Sequence, residues 1–209
     1  DDDIIVINKP FDMPAHPSAG NHDNTLANAL MYYYGSQNKP FVYRCINRLD
    51  RDTTGLTIVA KHALAGGILG NAVAKRAIHR TYYAVCSGCT PAYMRISAPI
   101  ARKDASTIER CVDFKRGENA VTDFIRIKYN PDNNLSLVKL RLLTGRTHQI
   151  RVHMKYIGFP LIGDFLYNPD YTYISRQALH SGRLVFTHPV TGQKMNLISD
   201  IPSDMKSLF

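Results

Sequence analysis

A carboxylate surrounded by arginines stands out in residues 47–56, which read NRLDRDTTGL. Asp50 is flanked by Arg48 and Arg51. Because neighbouring positive charge favours the ionised form of an acid, we expect Asp50 to be a carboxylate at neutral pH. The apolar run at residues 56–60 predicts a buried strand, so Asp50 lies on a loop that the core anchors. Such a carboxylate can act as a nucleophile or a base on a polyanion.

A second stretch about a hundred residues later adds weight to the first. Residues 144–153 read TGRTHQIRVH, and the second half of this stretch predicts a helix. Arg146 lies at the predicted helix start, a position that suits an anion such as a phosphate or a carboxylate. His148 and His153 are five residues apart and do not share a helical face, so they predict supporting polar roles rather than a zinc pair. Taken alone, an aspartate in a loop before a strand, such as Asp50, is usually a turn cap or a member of a surface ion pair.

The charge balance favours an anionic partner. The 209 residues carry a formal net charge of +9, and the pI is near 9.4. Nucleic acid is the first candidate for such a partner and a membrane surface the second. No apolar run approaches the roughly 20 residues that span a bilayer, and the acidic start at Asp1 to Asp3 is opposite in charge to a signal peptide. We expect a cytoplasmic monomer without a membrane segment.

The four cysteines do not predict a metal or redox centre. Cys86 and Cys89 form a single C-x-x-C pair. Structural zinc needs a second pair at similar spacing, which Cys45 and Cys111 do not form. A redox pair favours a helix start, whereas Cys86 ends a strand-like run. We therefore expect reduced thiols and no bound metal.

Hydrophobic periodicity and turn signals predict three helices. The first is capped by Asn24 or Thr25 and ends at Gly35, and the second covers residues 62–76. The third covers residues 147–157 and is followed by a glycine. The apolar faces hold Leu26, Leu30 and Tyr33 in the first helix and Leu64, Ile68, Leu69, Ala72 and Val73 in the second, while Thr147, Arg151 and Lys155 form a polar stripe on the third.

The predicted strands alternate with these helices and pair mostly as hairpins. Residues 120–129 and 135–142 alternate on either side of a strong turn signal, so they predict an antiparallel hairpin. No linker or repeat interrupts the chain, which predicts one α+β domain over residues 1–209 with helices flanking a mixed, mostly antiparallel sheet. The apolar face of the first hairpin strand holds Val121, Ile125, Ile127 and Tyr129. Other strands are predicted at residues 4–7, 42–46, 56–60, 78–86, 184–186 and 195–198, with short pieces within 93–116.

Three groups of residues together resemble the signature motifs of the RluA-type pseudouridine synthases. They are Asn47-Arg48-Leu49-Asp50 with Thr53-Thr54-Gly55-Leu56, then Thr81-Tyr82, and then the stretch from Gly145 to His153. Smaller matches are Asn8-Lys9-Pro10, Gly163-Asp164, Leu179-His180 and His188-Pro189. The resemblance covers essentially the whole chain in the family's order. It has one departure, because the family usually has histidine where this chain has Asn47.

The resemblance implies the pseudouridine synthase fold, with an active-site cleft. It also implies an isomerase, an intramolecular transferase that converts specific uridines of ribosomal or transfer RNA to pseudouridine. The base is cut from its sugar at N1, turned in the site and rejoined through C5. In this family pattern Asp50 is the catalytic carboxylate and Arg151 pairs with it.

The same resemblance implies roles for the remaining site residues. Tyr82 stacks on the flipped uracil and handles its C5 proton, and Ile150 packs beside Tyr82. Arg48 fills the gap that the flipped base leaves in the RNA. Arg146 and His148, in the third motif, complete the expected substrate-binding residues.

The chemistry is physically coherent with these residue types. A base cannot be detached inside a stack, so it is extruded at a cost of a few kcal/mol, which an aromatic face and a cation offset. Three routes stay open for Asp50: attack on sugar C1′, attack on uracil C6, or stabilisation of positive charge on the ribose. The reaction needs no redox change and no phosphate input, so no cofactor is expected.

Other readings of the sequence remain. A non-catalytic RNA-binding module that retains the fold has its only support in Asn47, and a metal-dependent hydrolase would need ligands that the sequence does not offer. Many family members carry an added S4-like RNA-binding module, and we expect this chain to be the catalytic domain without it. The pairs Arg102-Lys103 and Lys115-Arg116 are solvated loop charges or, as a second hypothesis, phosphate contacts.

Overall fold

The computed structural model describes residues 1–18, 20–105 and 108–209. It has the predicted α+β architecture, in which helices flank a mixed, mostly antiparallel sheet. In chain order the elements are β1 (Ile4–Lys9), α1 (Leu26–Gly35), β2 (Arg44–Cys45), β3 (Thr54–Ala60), α2 (Ala63–Ala74), β4 (His79–Ser87), β5 (Tyr93–Ser97), β6 (Ile100–Arg102), β7 (Arg110–Val112), β8 (Val121–Asn130), β9 (Leu135–Leu142), α3 (Gln149–Tyr156), β10 (Leu179–Thr187), β11 (Lys194–Ile198) and α4 (Ser203–Lys206).

The described residues group into two compact units. The first comprises Asp1–His79 and Ser181–Ser199, and the second comprises Arg80–His180 and Asp200–Phe209. A single catalytic domain over the whole chain stays a prediction. Within the described ranges, no helix combines the length and the apolar character that crossing a membrane requires.

Strand β3 is the centre of the first unit. It pairs antiparallel with β1 and with the short strand β2, which covers only part of the predicted strand at residues 42–46. All seven residues of β3 are buried. Ile58 belongs to one hydrophobic cluster and Val59 to another, because alternate residues of a strand point to opposite faces. The continuous apolar run therefore reports burial on both faces, as predicted.

Helix α1 has the predicted limits but not the predicted apolar face. Thr25 caps it, since its hydroxyl accepts from the Asn28 N–H and the Asn28 side chain accepts from the Thr25 N–H. Tyr34 is buried and stacks on Phe41 with ring centroids 4.3 Å apart. Tyr33, predicted on the apolar face, is 53% exposed. The buried line runs from Leu26 in steps of four, which excludes the neighbouring tyrosine.

The apolar stripe predicted for α2 is also largely wrong. Leu64, Ile68 and Val73 are exposed. The helix contacts the core along a narrow line through Ala65 and Leu69. A run rich in apolar residues on every side predicts a helix correctly but cannot single out the side that is buried.

In the second unit, the β8–β9 hairpin forms as predicted, but the apolar face of β8 does not. Thr122 and Phe124 are buried, whereas Ile125 and Ile127 are about half exposed. The pairing register shifts between Arg126 and Lys128. Residues 121–127 still alternate, but the side that faces the core is the one that carries Thr122 and Phe124, so the spacing of the isoleucines misidentified the buried face.

Helix α3 is shorter than predicted and its polar stripe is wrong at one position. Arg151 is buried rather than solvated. Gly158 follows the helix with φ 85°, which confirms it as the terminating glycine. His153, expected on a polar face, is fully buried, with Nε2 2.9 Å from the Ala98 carbonyl and Nδ1 2.9 Å from the Thr122 hydroxyl. Burial lowers the pKa of His153, so the imidazole is neutral and donates through Nε2.

Candidate active site

In the first unit, Asp50 lies half-buried on the loop between β2 and β3. The Thr53 N–H donates to the Asp50 carbonyl at 3.1 Å and closes a tight turn immediately before the buried strand. Leu49 beside it is buried. The carboxylate is therefore presented by a short loop whose two ends are fixed, as predicted.

Asn47 fixes the start of this loop. Its side-chain nitrogen donates to the Leu56 carbonyl at 3.2 Å, and its side-chain oxygen accepts from the Ile58 N–H at 2.8 Å. The Thr57 hydroxyl donates to the Asn47 carbonyl at 2.7 Å. The amide thus pairs with β3 as a further strand residue would. The residue that departs from the family pattern has a structural function here.

Lys9, at the end of β1, fixes the other side of the loop. Its side chain is 1% exposed. The ammonium group donates to the carbonyls of Pro10 at 2.7 Å, Met13 at 2.9 Å and Arg51 at 2.8 Å. A buried charge is tolerated when it is hydrogen-bonded in this way. Lys9 therefore joins the first loop of the chain to the residue that follows Asp50.

Gly55 allows the backbone to come close to a neighbouring strand just after the loop. Its φ is +105°, and a Cβ atom there would lie 2.3 Å from the Ser181 carbonyl oxygen. The Ser181 hydroxyl donates to the Leu56 carbonyl at 3.0 Å. Only glycine fits this conformation and this approach. The glycine of the first motif thus holds β3 against β10.

The arginines around Asp50 have distinct neighbours. Arg51 binds the Asp52 carboxylate through Nε at 3.1 Å and Nη2 at 3.2 Å, and its Nε is 3.7 Å from Asp12. Arg48 is exposed. Burial and the positive charge of Arg48 lower the pKa of His16, so His16 is neutral at pH 7. The side chain of Arg48 is accessible to solvent, and its role towards a ligand stays a prediction.

The second unit contains the other predicted site residues. Tyr82, on β4 opposite Leu140 of β9, is 4% exposed. Ile150, in the first turn of α3, is 4% exposed. Both side chains are buried, and their expected roles and the contact between them stay predictions. Arg48 and Asp50 belong to the first unit, and the pairing of Arg151 with Asp50 also stays a prediction.

Arg151 is held rigidly within the second unit. Its Nε and Nη2 atoms each donate to the Asp164 carboxylate at 2.7 Å. The side chains of Arg151 and Asp164 are 2% and 0% exposed. The guanidinium carbon lies 5.4 Å from the ring centre of Phe165 and 5.0 Å from that of Tyr167. A bidentate bond and two aromatic faces leave this guanidinium little freedom to turn.

Tyr167 also connects α3 to β7. Its hydroxyl accepts from the Arg110 N–H at 2.8 Å and lies 2.9 Å from Nδ1 of His148. Burial raises the pKa of Tyr167 to about 12. The phenol is therefore protonated, and the tautomer of His148 sets which of the two groups donates in the bond between them. His148 takes the left-handed conformation, with φ 57°, just before the helix.

One group among the described residues has the composition of a metal site. Ligand atoms of Asp1, Asp3 and His188 lie within 4.8 Å of one another. However, Nδ1 of His188 accepts from the N–H groups of Val190 and Thr191, so the proton resides on Nε2 and is donated to Asp1 at 3.0 Å. This tautomer turns a proton rather than a lone pair towards the acids, which does not suit a metal.

The four cysteines are free thiols. Cys86 is buried in β4, and this burial raises the pKa of its thiol. Cys89 is exposed and its sulfur accepts from Arg126 Nη1 at 2.7 Å. The two thiols of the C-x-x-C pair therefore occupy different environments, as a strand followed by a turn would place them.

Comparison with known proteins decides the family. The family described as RNA pseudouridylate synthase matches residues 3–156. The chain belongs to this family. It is 39% identical over 209 residues to the uncharacterized RNA pseudouridine synthase YhcT of Bacillus subtilis, covering 100% of this chain and 69% of that protein. It is 38% identical over 226 residues to the ribosomal large subunit pseudouridine synthase D of Zymomonas mobilis, covering 100% of this chain and 70% of the relative.

A solved structure carries the same fold. Human RNA pseudouridylate synthase domain containing 1 has a TM-score of 0.78 and 26% identity, with 95% of this chain and 80% of that chain covered. Membership of the pseudouridine synthase family makes the chain an isomerase. The matched region includes Asp50, Tyr82 and Arg151, whose individual roles stay predictions.

Sequence reasoning missed three residues of this pseudouridine synthase that fix others in place. Lys9 and Asp164 stood in recognised short matches, but nothing in the sequence indicated which groups they bind. Tyr167 had no signal beyond its aromatic character. Each acts through contacts distant along the chain, which a local pattern does not reveal.

Lys9→Met is expected to lower the free energy of unfolding by about 3 kcal/mol, because it removes a buried ammonium and deprives three carbonyls of a donor. Activity should fall as well, since the loop that carries Asp50 loses the hydrogen bond from Lys9 to the Arg51 carbonyl. Urea denaturation and an initial-rate assay measure the two effects. The exposed Lys39 provides a control, and Lys39→Met should change stability by less than about 0.5 kcal/mol. Equal losses in both variants would contradict the role of Lys9.

Proposed function

We propose that this chain converts specific uridines in ribosomal or transfer RNA to pseudouridine, with Asp50, Tyr82 and Arg151 as its catalytic residues. The observation that carries the proposal is the family match over residues 3–156, which contains all three. In this reaction the N1–C1′ bond breaks, a C5–C1′ bond forms, and the proton leaves C5 while N1 gains one. The uracil must leave the RNA stack before either bond changes.

Each residue has a role that its surroundings support. Asp50 supplies the carboxylate that acts on the ribose or the uracil, on a loop tied by Asn47 and Lys9. Tyr82 supplies an aromatic face for the extruded base and acts on its C5 proton. Arg151, oriented by Asp164, supplies a fixed positive charge near developing negative charge. Arg48, exposed beside the loop, takes the place of the base in the RNA.

The alternative of a non-catalytic RNA-binding module loses its single argument. That argument was the presence of Asn47 where the family usually has histidine. The Asn47 amide bonds to the backbone of β3, and both of its polar atoms have strand partners. A buried amide in this role fixes the position of the loop and gives no information about whether the protein is catalytic. We therefore retain only the enzymatic proposal.

The test uses transcripts of ribosomal and transfer RNA that carry C5-tritiated uridine. Isomerisation releases the C5 hydrogen, so tritium should appear in water in step with pseudouridine in the digested RNA. The release should not depend on an added cofactor. Failure to form pseudouridine in both RNA classes, by a folded protein that binds them, would overturn the proposal in favour of the RNA-binding module.

A further inference from the structure

A cavity of about 460 Å³ lies in the second unit, beside the segment that precedes α3. Strands β6 and β7 supply one wall, and the turn before α3 supplies the other. Its charged lining comprises Arg102, Arg110, Arg116, Arg146 and Glu118. A volume of this size accommodates a sugar-phosphate group with its water shell.

The described lining is strongly positive. Four arginines face a single glutamate, and a fifth arginine lies close by, since a Cβ atom on the lining residue Gly145 would be 3.1 Å from Nη2 of Arg80. A guanidinium offers two parallel N–H donors that match two oxygens of one phosphate. Arginines that converge on a cavity from several segments are the arrangement that a phosphodiester requires.

The cavity has fixed walls. The Tyr167 hydroxyl bonds both to the Arg110 N–H of β7 and to His148 before α3. Lys103 and Glu109 pair across the base of the β6–β7 hairpin at 2.9 Å. The Tyr167 bonds connect the two walls, whereas the exposed Lys103–Glu109 pair lies within one of them. The backbone of Arg110 is therefore fixed relative to the segment before α3.

Glu118 forms an ion pair with one of the cavity arginines, Arg146. Its carboxylate pairs with Arg146, but its side chain is 69% exposed. A solvated pair of this kind is weak, so a phosphate can displace the glutamate. Arg116, by contrast, pairs at 2.7 Å with Asp113, whose carboxylate is tied to its own turn by the N–H groups of Lys115 and Arg116. Those N–H bonds also lower the pKa of Asp113, so it remains charged and in place.

We propose that this cavity binds backbone phosphates of the substrate RNA. In the free protein the Glu118 carboxylate occupies the position beside Arg146 that a phosphate takes when RNA binds. The inference rests on the proposed function for its ligand and assigns a second role to the residues around the third motif. It predicts opposite effects for two kinds of change. Loss of an arginine weakens RNA binding, and loss of the glutamate charge strengthens it.

The test measures fluorescence anisotropy of a fluorescein-labelled, single-stranded RNA 20-mer of mixed sequence over a series of KCl concentrations. Each lost phosphate contact reduces the slope of log affinity against log salt by about 0.7, which is about fivefold in affinity at 100 mM salt. Arg102→Gln with Arg116→Gln should therefore lower affinity about 25-fold. Glu118→Gln should raise affinity about two- to fivefold.

A matched control lies elsewhere in the same unit. Arg95, like Arg116, pairs with an aspartate, its Nε and Nη2 lying 2.6 and 2.8 Å from Asp123, and it does not line the cavity. Arg95→Gln should leave affinity and slope unchanged. Circular dichroism melting confirms folding of each variant, and the single change Arg102→Gln substitutes for the double one if the latter unfolds. Inorganic phosphate, added at constant ionic strength, should not compete below millimolar concentration.

Several outcomes would overturn the inference. They are an unchanged salt slope in the cavity variants, losses equal to that of Arg95→Gln, weaker binding by Glu118→Gln, or displacement of RNA by micromolar inorganic phosphate. Tritium release, measured on the same preparations, separates this inference from the proposed function. Pseudouridine formation with an unchanged slope refutes only the phosphate site. Arginine-dependent binding without any pseudouridine refutes only the catalytic proposal.

Discussion

Asp50→Asn is expected to reduce pseudouridine formation by roughly 10³-fold or more. The amide has the size of the carboxylate but cannot carry its charge, so it can neither attack carbon nor stabilise a positive ribose. Affinity for RNA should stay within about twofold, because binding energy comes mainly from phosphate contacts. Tritium release under single-turnover conditions measures the loss, and anisotropy measures the affinity.

A neighbouring acid makes the control for this prediction. Asp52 lies on the same loop, where Arg51 binds it. Asp52→Asn removes the same charge two residues away and should change the rate by less than about threefold. Substantial turnover by Asp50→Asn would refute the catalytic assignment. An equal loss in both variants would attribute the effect to loop charge rather than to one reacting group.

Asp164→Asn is expected to lower the free energy of unfolding by about 3–5 kcal/mol, because it removes the charge that faces a buried guanidinium. This is a large share of the roughly 5–15 kcal/mol that stabilises a domain. Urea denaturation measures the loss. The losses of stability caused by Asp164→Asn and Arg151→Met should not add in the double variant. Once Arg151 is replaced, no buried guanidinium is left for the Asp164 charge to neutralise.

The protein contains a more exposed counterpart of this ion pair. Arg176 binds Asp204 through Nε at 2.8 Å and Nη2 at 2.9 Å, and the Asp204 side chain is 42% exposed. Asp204→Asn should cost less, about 2 kcal/mol, since water reaches the Asp204 end of the pair and the buried Arg176 guanidinium keeps its bond to the Gln177 carbonyl. If both aspartate variants lose the same amount, burial is not what makes the Arg151 pair valuable.

The parts of the fold predicted correctly are those that local physics determines. Thr25 and Gly35 bound α1 because capping and termination depend on neighbouring residues. Residues Leu135–Leu142 form β9 as their alternation predicts. The predicted buried faces of β8 and α1 were wrong, because Phe124 and Tyr34 are buried by partners elsewhere in the chain. Periodicity predicts an element more reliably than the side of it that is buried.

The same distinction applies to the site. Asp50, Tyr82 and Arg151 stood in recognisable motifs, and their chemistry followed from residue type. The partner of Arg151 within its own unit lies 13 residues along the chain, and Lys9 reaches a carbonyl 42 residues away. Helical spacing assigned Arg151 to solvent, because a spacing rule cannot include a distant counter-charge. Three of the cavity arginines, Arg102, Arg116 and Arg146, were already candidate RNA contacts from the sequence. The structure adds that they line one cavity together with Arg110.

The amide at position 47 has a consequence for the conditions under which the loop stays in place. A neutral imidazole could also offer β3 one donor and one acceptor, but it gains a second proton near pH 6.5 and then accepts nothing. Asparagine has no proton to gain in this range. The attachment of the loop to the Ile58 N–H is therefore indifferent to mild acidification. A chain with histidine at this position would have a built-in sensitivity that this one lacks.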